Sequence, residues 1–208
     1  MRLEELRGKL FYQGMLLGGA ALLTSVLLSF FSQATEADIK AAEAADLKAS
    51  LSQVLPGEYD NDLLKDTVTL PANQGEVLVY RARRAGKVEA VVYRVTGHGY
   101  AGNILCVMGV SREGKILGVR VISHKETPGL GDKIEPAKGD WIHAFEGKFL
   151  GDPQLEKWAV KKDGGVFDQF AGATITPRGV VNAVKGGLEF FDGNKAKLLD
   201  ETGMGEEP

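Results

Sequence analysis

The chain has 208 residues, enough for a membrane anchor and one domain of ordinary size. Its 25 Lys and Arg stand against 28 Asp and Glu, a net charge of −3 with no basic block, which excludes nucleic acid as an expected partner. The single cysteine, Cys106, excludes an intrachain disulfide, an all-cysteine zinc site and a cysteine-held iron–sulfur cluster, and its place in the apolar run ILCVMGV predicts a buried small hydrophobe.

Residues 1–9 read as a short cytoplasmic tail carrying Arg2, Arg7 and Lys9. The next run, LFYQGMLLGGAALLTSVLLSFF at 10–31, holds no charge. About 20 apolar residues cross a bilayer, so one transmembrane helix is expected there. SQA before Thr35 would pass as a cleavage site, but the apolar run exceeds the about 7–15 residues of a signal peptide's core. After the span the first cations are Lys40 and Lys48, a bias that predicts a cytoplasmic N-terminus with the bulk of the chain on the other side.

Residues 32–56 follow as a linker dominated by an Ala, Glu, Lys and Leu-rich stretch. Ile39, Leu47, Leu51 and Leu55 repeat at multiples of four, with Ala42 beside Ile39, which predicts an amphipathic helix ended by Pro56 and Gly57. A domain over 57–195 then opens with four β-branched runs: EVLVYRA, VEAVVYRVTG, ILCVMGVSR and KILGVRVIS. Short turns at RRAGK and EG imply antiparallel pairing, so the fold class is α+β on a single anchor. There is no Gly-rich loop of the dinucleotide type and no nucleophile elbow.

SHKETPGLGDKIEP, at 123–136, places Thr127, Pro128 and Gly129 as a type II turn. It is either a solvated connection or a loop whose backbone N–H groups, with Glu126 and Thr127, meet a ligand. His98, His124 and His143 show no metal-ligand spacing and read as surface or hydrogen-bonding groups, while Trp141 and Trp158 read as core. AGATITPRGVV, at 171–181, puts Thr176 and Pro177 as N-cap and first residue of a helix. Val180, Val181, Val184, Leu188 and Phe191 form its buried stripe and Gly193 its stop, leaving 196–208 as a flexible acidic tail. Thr174, behind the small Gly172 and Ala173, lies where a helix N-terminus favours an anion such as phosphate. Its hydroxyl either bonds the local backbone or is left open to a modifying enzyme.

GATIT before a helix, HKETPGLGDKIE and GHGYAGNI together resemble the FMN-binding domain shared by the G subunit of the Rnf electron-transport complex and the C subunit of the sodium-pumping NADH:quinone oxidoreductase. The likeness covers Gly97 to Phe191, and the short chain is nearer the Rnf subunit. It implies that Thr174 carries FMN, esterified through the phosphate by a separate magnesium-dependent flavin transferase. It further implies that Glu126, Thr127, Gly129 and Leu130 approach the flavin ring, with Gly172, Ala173, Thr176 and Arg178 around the attachment point. Ala171 stands where the strict motif has Ser or Thr. The resulting expectation is a covalent-FMN electron-transfer subunit of an ion-translocating oxidoreductase, single-pass in a bacterial inner membrane. Its domain would be periplasmic, its chief partner a membrane-embedded flavin subunit, and the isolated chain a carrier without turnover. The alternatives are the C-type subunit, a stand-alone flavin reductase, or a non-redox anchored binding or assembly factor in which Thr174 only caps.

Overall fold

The computed structural model describes residues 10–72 and 75–200, so the expected tail at 1–9 and residues 201–208 of the expected acidic tail lie outside the described residues. The chain divides into two compact units, one ending at Asp46 and one beginning at Leu47.

Helix α1 runs without a break from Leu10 to Ser52, 43 residues that join the two segments expected as anchor and amphipathic helix. Nothing between Phe31 and Glu36 stops a helix: the connection is Ser-Gln-Ala-Thr, and the Thr35 hydroxyl bonds back to the Phe31 carbonyl at 2.7 Å. Among the described residues this is the one helix long and apolar enough to cross a membrane. Met15, Leu22 and Phe30 are exposed along it, the pattern of a helix suited to lipid and not to a protein core. Ile39 is exposed too, whereas Leu51, Val54 and Leu55 are buried, so the amphipathic stripe is used only at its C-terminal end.

The second unit is a five-stranded antiparallel meander in the order β1–β2–β3–β4–β5: Thr67–Ala72, Gly75–Arg84, Lys87–His98, Asn103–Ser111 and Ile116–Ser123. The four expected strands are β2 to β5. The β2–β3 hairpin turns on Ala85 and Gly86, both at positive φ, which matches the strand twist. Strand β1 has no counterpart in the sequence reading, because Pro71 breaks the strand signal; Pro is tolerated there since β1 is an edge.

Both faces of the sheet are covered, which explains apolar runs instead of clean alternation. One face buries Tyr80, Ala82, Ala90, Val92 and Val107 under Leu51, Val54 and Leu55. There, Gly109 pairs with Gly118, and a Cβ on Gly109 would come within 2.2 Å of the Val54 carbonyl oxygen, so the backbone after α1 lies in a glycine notch. The other face packs Val91, Tyr93, Val95, Cys106 and Met108 against helix α2, Ile175–Leu198. Burial pushes the Cys106 thiol up to about 12.

Helix α2 begins two residues before the expected Pro177 and runs through Gly193 to the buried Leu198, beyond the expected domain end at 195. Thr174 holds the N-cap position and Thr176 lies inside the first turn, a correction to the cap assignment. Pro177 still fits, since a first-turn residue needs no intrahelical donor. Gly179 meets β3 backbone to backbone: a Cβ there would sit 2.2 Å from the His98 carbonyl oxygen. Between β5 and α2 a chain of short 3₁₀ turns closes the core, with Phe145 stacked on Phe167 at 4.6 Å. Trp158 is buried there, and Trp141, half-buried, donates its indole N–H to the Asp168 carbonyl at 2.8 Å.

Candidate functional site

Three segments converge on the start of α2: the loop after β3 (Gly99–Gly102), the turn Glu126–Gly131, and the cap loop Phe170–Thr174. The cap loop is closed by the Ala173 N–H bonding the Phe170 carbonyl at 3.1 Å, with Gly172 at φ +80°, a conformation glycine takes freely. Thr174 follows, half-buried, with φ −71° and ψ −29°. A capping hydroxyl normally comes from an extended residue, and from this helical conformation Thr174 makes no cap bond. Its hydroxyl has no hydrogen-bond partner among the described residues, beside first-turn N–H groups that no helix can satisfy internally.

Thr176 donates its hydroxyl to Glu126 Oε2, and both residues are buried. Glu126 Oε1 accepts the Ala101 N–H at 2.9 Å and Oε2 accepts the Tyr100 N–H at 3.3 Å. Burial alone would push this carboxyl up, but the hydrogen bonds from Thr176, Ala101 and Tyr100, with His124 nearby, outweigh it and hold the group below the usual carboxylate range. Gly99 and Gly131 make room for it: a Cβ on Gly99 would lie 2.4 Å from Glu126 Oε1, and one on Gly131 would lie 2.9 Å from Thr176 Oγ1. The resemblance puts Glu126 at the flavin ring and Thr176 at the attachment point. Both side chains are buried and bonded to each other, so they hold the frame together.

His124 extends that frame. Its Nδ1 accepts the Glu126 N–H at 3.1 Å, which leaves Nε2 as the donor to Glu135 Oε1 at 2.7 Å. His143 pairs with Glu146 at 2.7 Å, and His98 is exposed. In the turn itself the Thr127 carbonyl accepts the Leu130 N–H at 3.1 Å with Gly129 at φ +77°, the type II geometry expected.

Thr127, Gly129 and Leu130 are exposed, and Leu130 Cδ2 would lie 3.5 Å from a Cβ on Gly172, so the turn and the cap loop adjoin. Tyr100 and Leu130 from two of the converging segments, and Ile175 at the start of α2, are large apolar side chains left in solvent at 75%, 43% and 45% exposure. A free hydroxyl, unpaired N–H groups and an apolar rim fit a cofactor with a phosphate and a flat aromatic ring. Arg178 is not free beside Thr174: its guanidinium is gripped by Asp163, through Nε at 2.6 Å and Nη2 at 2.9 Å. Sequence spacing holds no sign of that partner, 15 residues away in another turn. A cleft of about 720 Å³ between α2 and strands β1 to β3, lined by Tyr80, Tyr93 and Phe190, contains none of these residues.

The FMN-binding domain family matches residues 99–189, the span that holds all three converging segments. Over 188 residues the chain is 53% identical to the G subunit of the ion-translocating oxidoreductase complex of Cereibacter sphaeroides, covering 89% of this chain and 86% of that protein. It is 50% identical to the protein of the same name from Stutzerimonas stutzeri (90% and 83% covered) and 46% identical to that of Pseudomonas aeruginosa (93% and 94%). Among solved structures, NqrC of Shewanella oneidensis aligns with a TM-score of 0.47 at 25% identity, over 67% of this chain and 74% of that one. Since about half of all residues are shared along nearly the full length of these relatives, the chain belongs to the G-subunit family of ion-translocating oxidoreductase complexes.

Proposed function

We propose that this chain carries FMN covalently, as a phosphoester on Thr174, and is the flavin-bearing electron-transfer subunit of its complex. The observation that carries the reading is the Thr174 hydroxyl, half-buried at the N-terminus of a 24-residue helix and without a hydrogen-bond partner among the described residues. A phosphodiester there keeps one negative charge where the helix dipole contributes about 0.3–1 kcal/mol. When bound, the flavin supplies the redox chemistry. The protein supplies a rigid mount, because Glu126, Thr176 and His124 lock the turn and the helix start to each other.

Maturation needs FAD and a separate flavin transferase that holds magnesium. The Thr174 oxygen attacks the FMN-side phosphorus, the new P–O bond forms as the phosphoanhydride bond breaks, AMP leaves, and the hydroxyl proton passes to a base of the transferase. A half-buried hydroxyl with no hydrogen-bond partner among the described residues leaves its oxygen available to such a partner. The long apolar helix and the cations before it support a bacterial inner membrane anchor with the domain on the periplasmic side, handing electrons to a membrane-embedded flavin subunit. Intact-mass spectrometry after co-expression with a flavin transferase tests the reading. Wild type should gain one FMN through denaturation and Thr174→Val none; a loaded Thr174→Val chain overturns it.

A further inference from the structure

Arg178 stands one helical turn after Thr174, its N–H bonding the Thr174 carbonyl at 3.4 Å. Long side chains on a helix lean toward its N-terminus and tend to cover the turn before their own Cα, so an arginine at this position is on the helix face that leads back to Thr174. Asp163 fixes it there by a two-pronged fork, Nε to Oδ2 at 2.6 Å and Nη2 to Oδ1 at 2.9 Å. The fork uses one edge of the guanidinium. Nη1 has no acceptor among the described residues. Asp163 itself is held by a short 3₁₀ turn, Lys161–Asp163, closed by Gly164 at φ 84°. The flanking Lys161 pairs with Asp168 at 2.5 Å, and Lys162 adds positive charge beside Asp163.

A surface arginine on a flexible stem samples many rotamers, and an ordinary exposed ion pair contributes little to stability. A fork that leaves one edge of an arginine unused, one helical turn after a residue read as the phosphate attachment point, has a different use: it pre-organises a second, charge-assisted contact. We propose that Asp163 is a positioning residue for the flavin phosphate, holding Arg178 so that its open edge meets the phosphodiester on Thr174 and the three groups form one acid–guanidinium–phosphate bridge. The proposal rests on the reading of Thr174 as the attachment point.

The test uses the full-length chain in detergent with purified flavin transferase, FAD and magnesium, scoring the initial rate of FMN loading by intact mass and the fluorescence anisotropy of the loaded flavin. Arg178→Gln should slow loading on the order of tenfold and lower the anisotropy. Asp163→Asn keeps the positive charge but releases the guanidinium, so the anisotropy should fall with a smaller loss of rate. The decisive variant is the exchange Asp163→Arg with Arg178→Asp, which restores an ion pair of the same length but puts a carboxylate over the phosphate. It should load as poorly as Arg178→Gln while melting like wild type. Wild-type loading and anisotropy in the exchanged chain would overturn the proposal, leaving the pair a structural clip. Loading of Thr174→Val in the same assay would instead overturn the attachment site, a separate failure.

Discussion

The Thr176 hydroxyl donates to the carboxylate of Glu126 across 50 residues of sequence, and with both side chains buried this bond fastens the turn after β5 to the first turn of α2. The same carboxylate collects the Tyr100 and Ala101 N–H groups, so one buried charge aligns three separate segments. Its removal should be felt at each of them. Glu126→Ala strands two backbone donors and a hydroxyl and should cost about 3 kcal/mol, seen as a lowered melting temperature. Glu126→Gln, which keeps an acceptor oxygen, should cost less.

The Glu126 carboxyl is held below its ordinary value in the fold, so its contribution to stability is fully present above the unfolded value of about 4.3 and is lost as pH falls through the lower folded value. Melting wild type and Glu126→Gln from pH 7 to pH 3 should show a gap between them that is constant near neutrality and closes in acid. A gap that widens toward low pH would reverse the sign.

Thr174 and Thr176 should separate cleanly in stability. Thr174→Val removes a hydroxyl that makes no bond among the described residues and should change stability by no more than about 0.5 kcal/mol. Thr176→Val removes a donor to a buried carboxylate and should cost about 1–3 kcal/mol, with Thr176→Ser restoring most of it. Chemical denaturation of the three variants checks the order.

Gly179→Ala should be worse than either. The new methyl would lie 2.2 Å from the His98 carbonyl oxygen, a backbone atom that has nowhere to go, so α2 must lift from β3 at a cost of about 3 kcal/mol or more. Gly193→Ala, in the same helix with open space around it, serves as the control and should stabilise by a few tenths to about 1 kcal/mol.

Cys106, buried in the sheet face under α2 with its thiol pushed up to about 12, should resist iodoacetamide in the native chain and react on unfolding. Native-state labelling within minutes at neutral pH would contradict that packing.

Strands β2 to β5 were legible because their Val, Ile and Tyr runs are bounded by turns, whereas β1 carries two threonines and Pro71 and becomes a strand only by pairing with β2 at the sheet edge. The start of α2 is a subtler case. Thr176-Pro177 has the local look of a cap and first residue, but the hydroxyl that would cap is claimed by Glu126, and the chain is already helical at Ile175. Glu126 in turn looks like one more loop carboxylate until Gly99 and Gly131 are seen to make its pocket. Asp163 meets Arg178 only through the 3₁₀ segment that folds back on the core, and no local periodicity encodes that approach.

Every strand of the meander bonds to the strand next to it in the sequence, so each hairpin can close as soon as its own residues are available. Helix α2 has no such independence: its first turn needs Gly97 and His98 from β3 and Glu126 from beyond β5 before it can seat. The order of assembly is therefore built into the topology, with the sheet early and the N-terminus of α2 late. Pulsed hydrogen exchange during refolding should find the β3–β4 amides protected before that of Arg178. The hydroxyl of Thr174 thus acquires its native surroundings only when the rest of the domain is complete, which makes its presentation a report on finished folding.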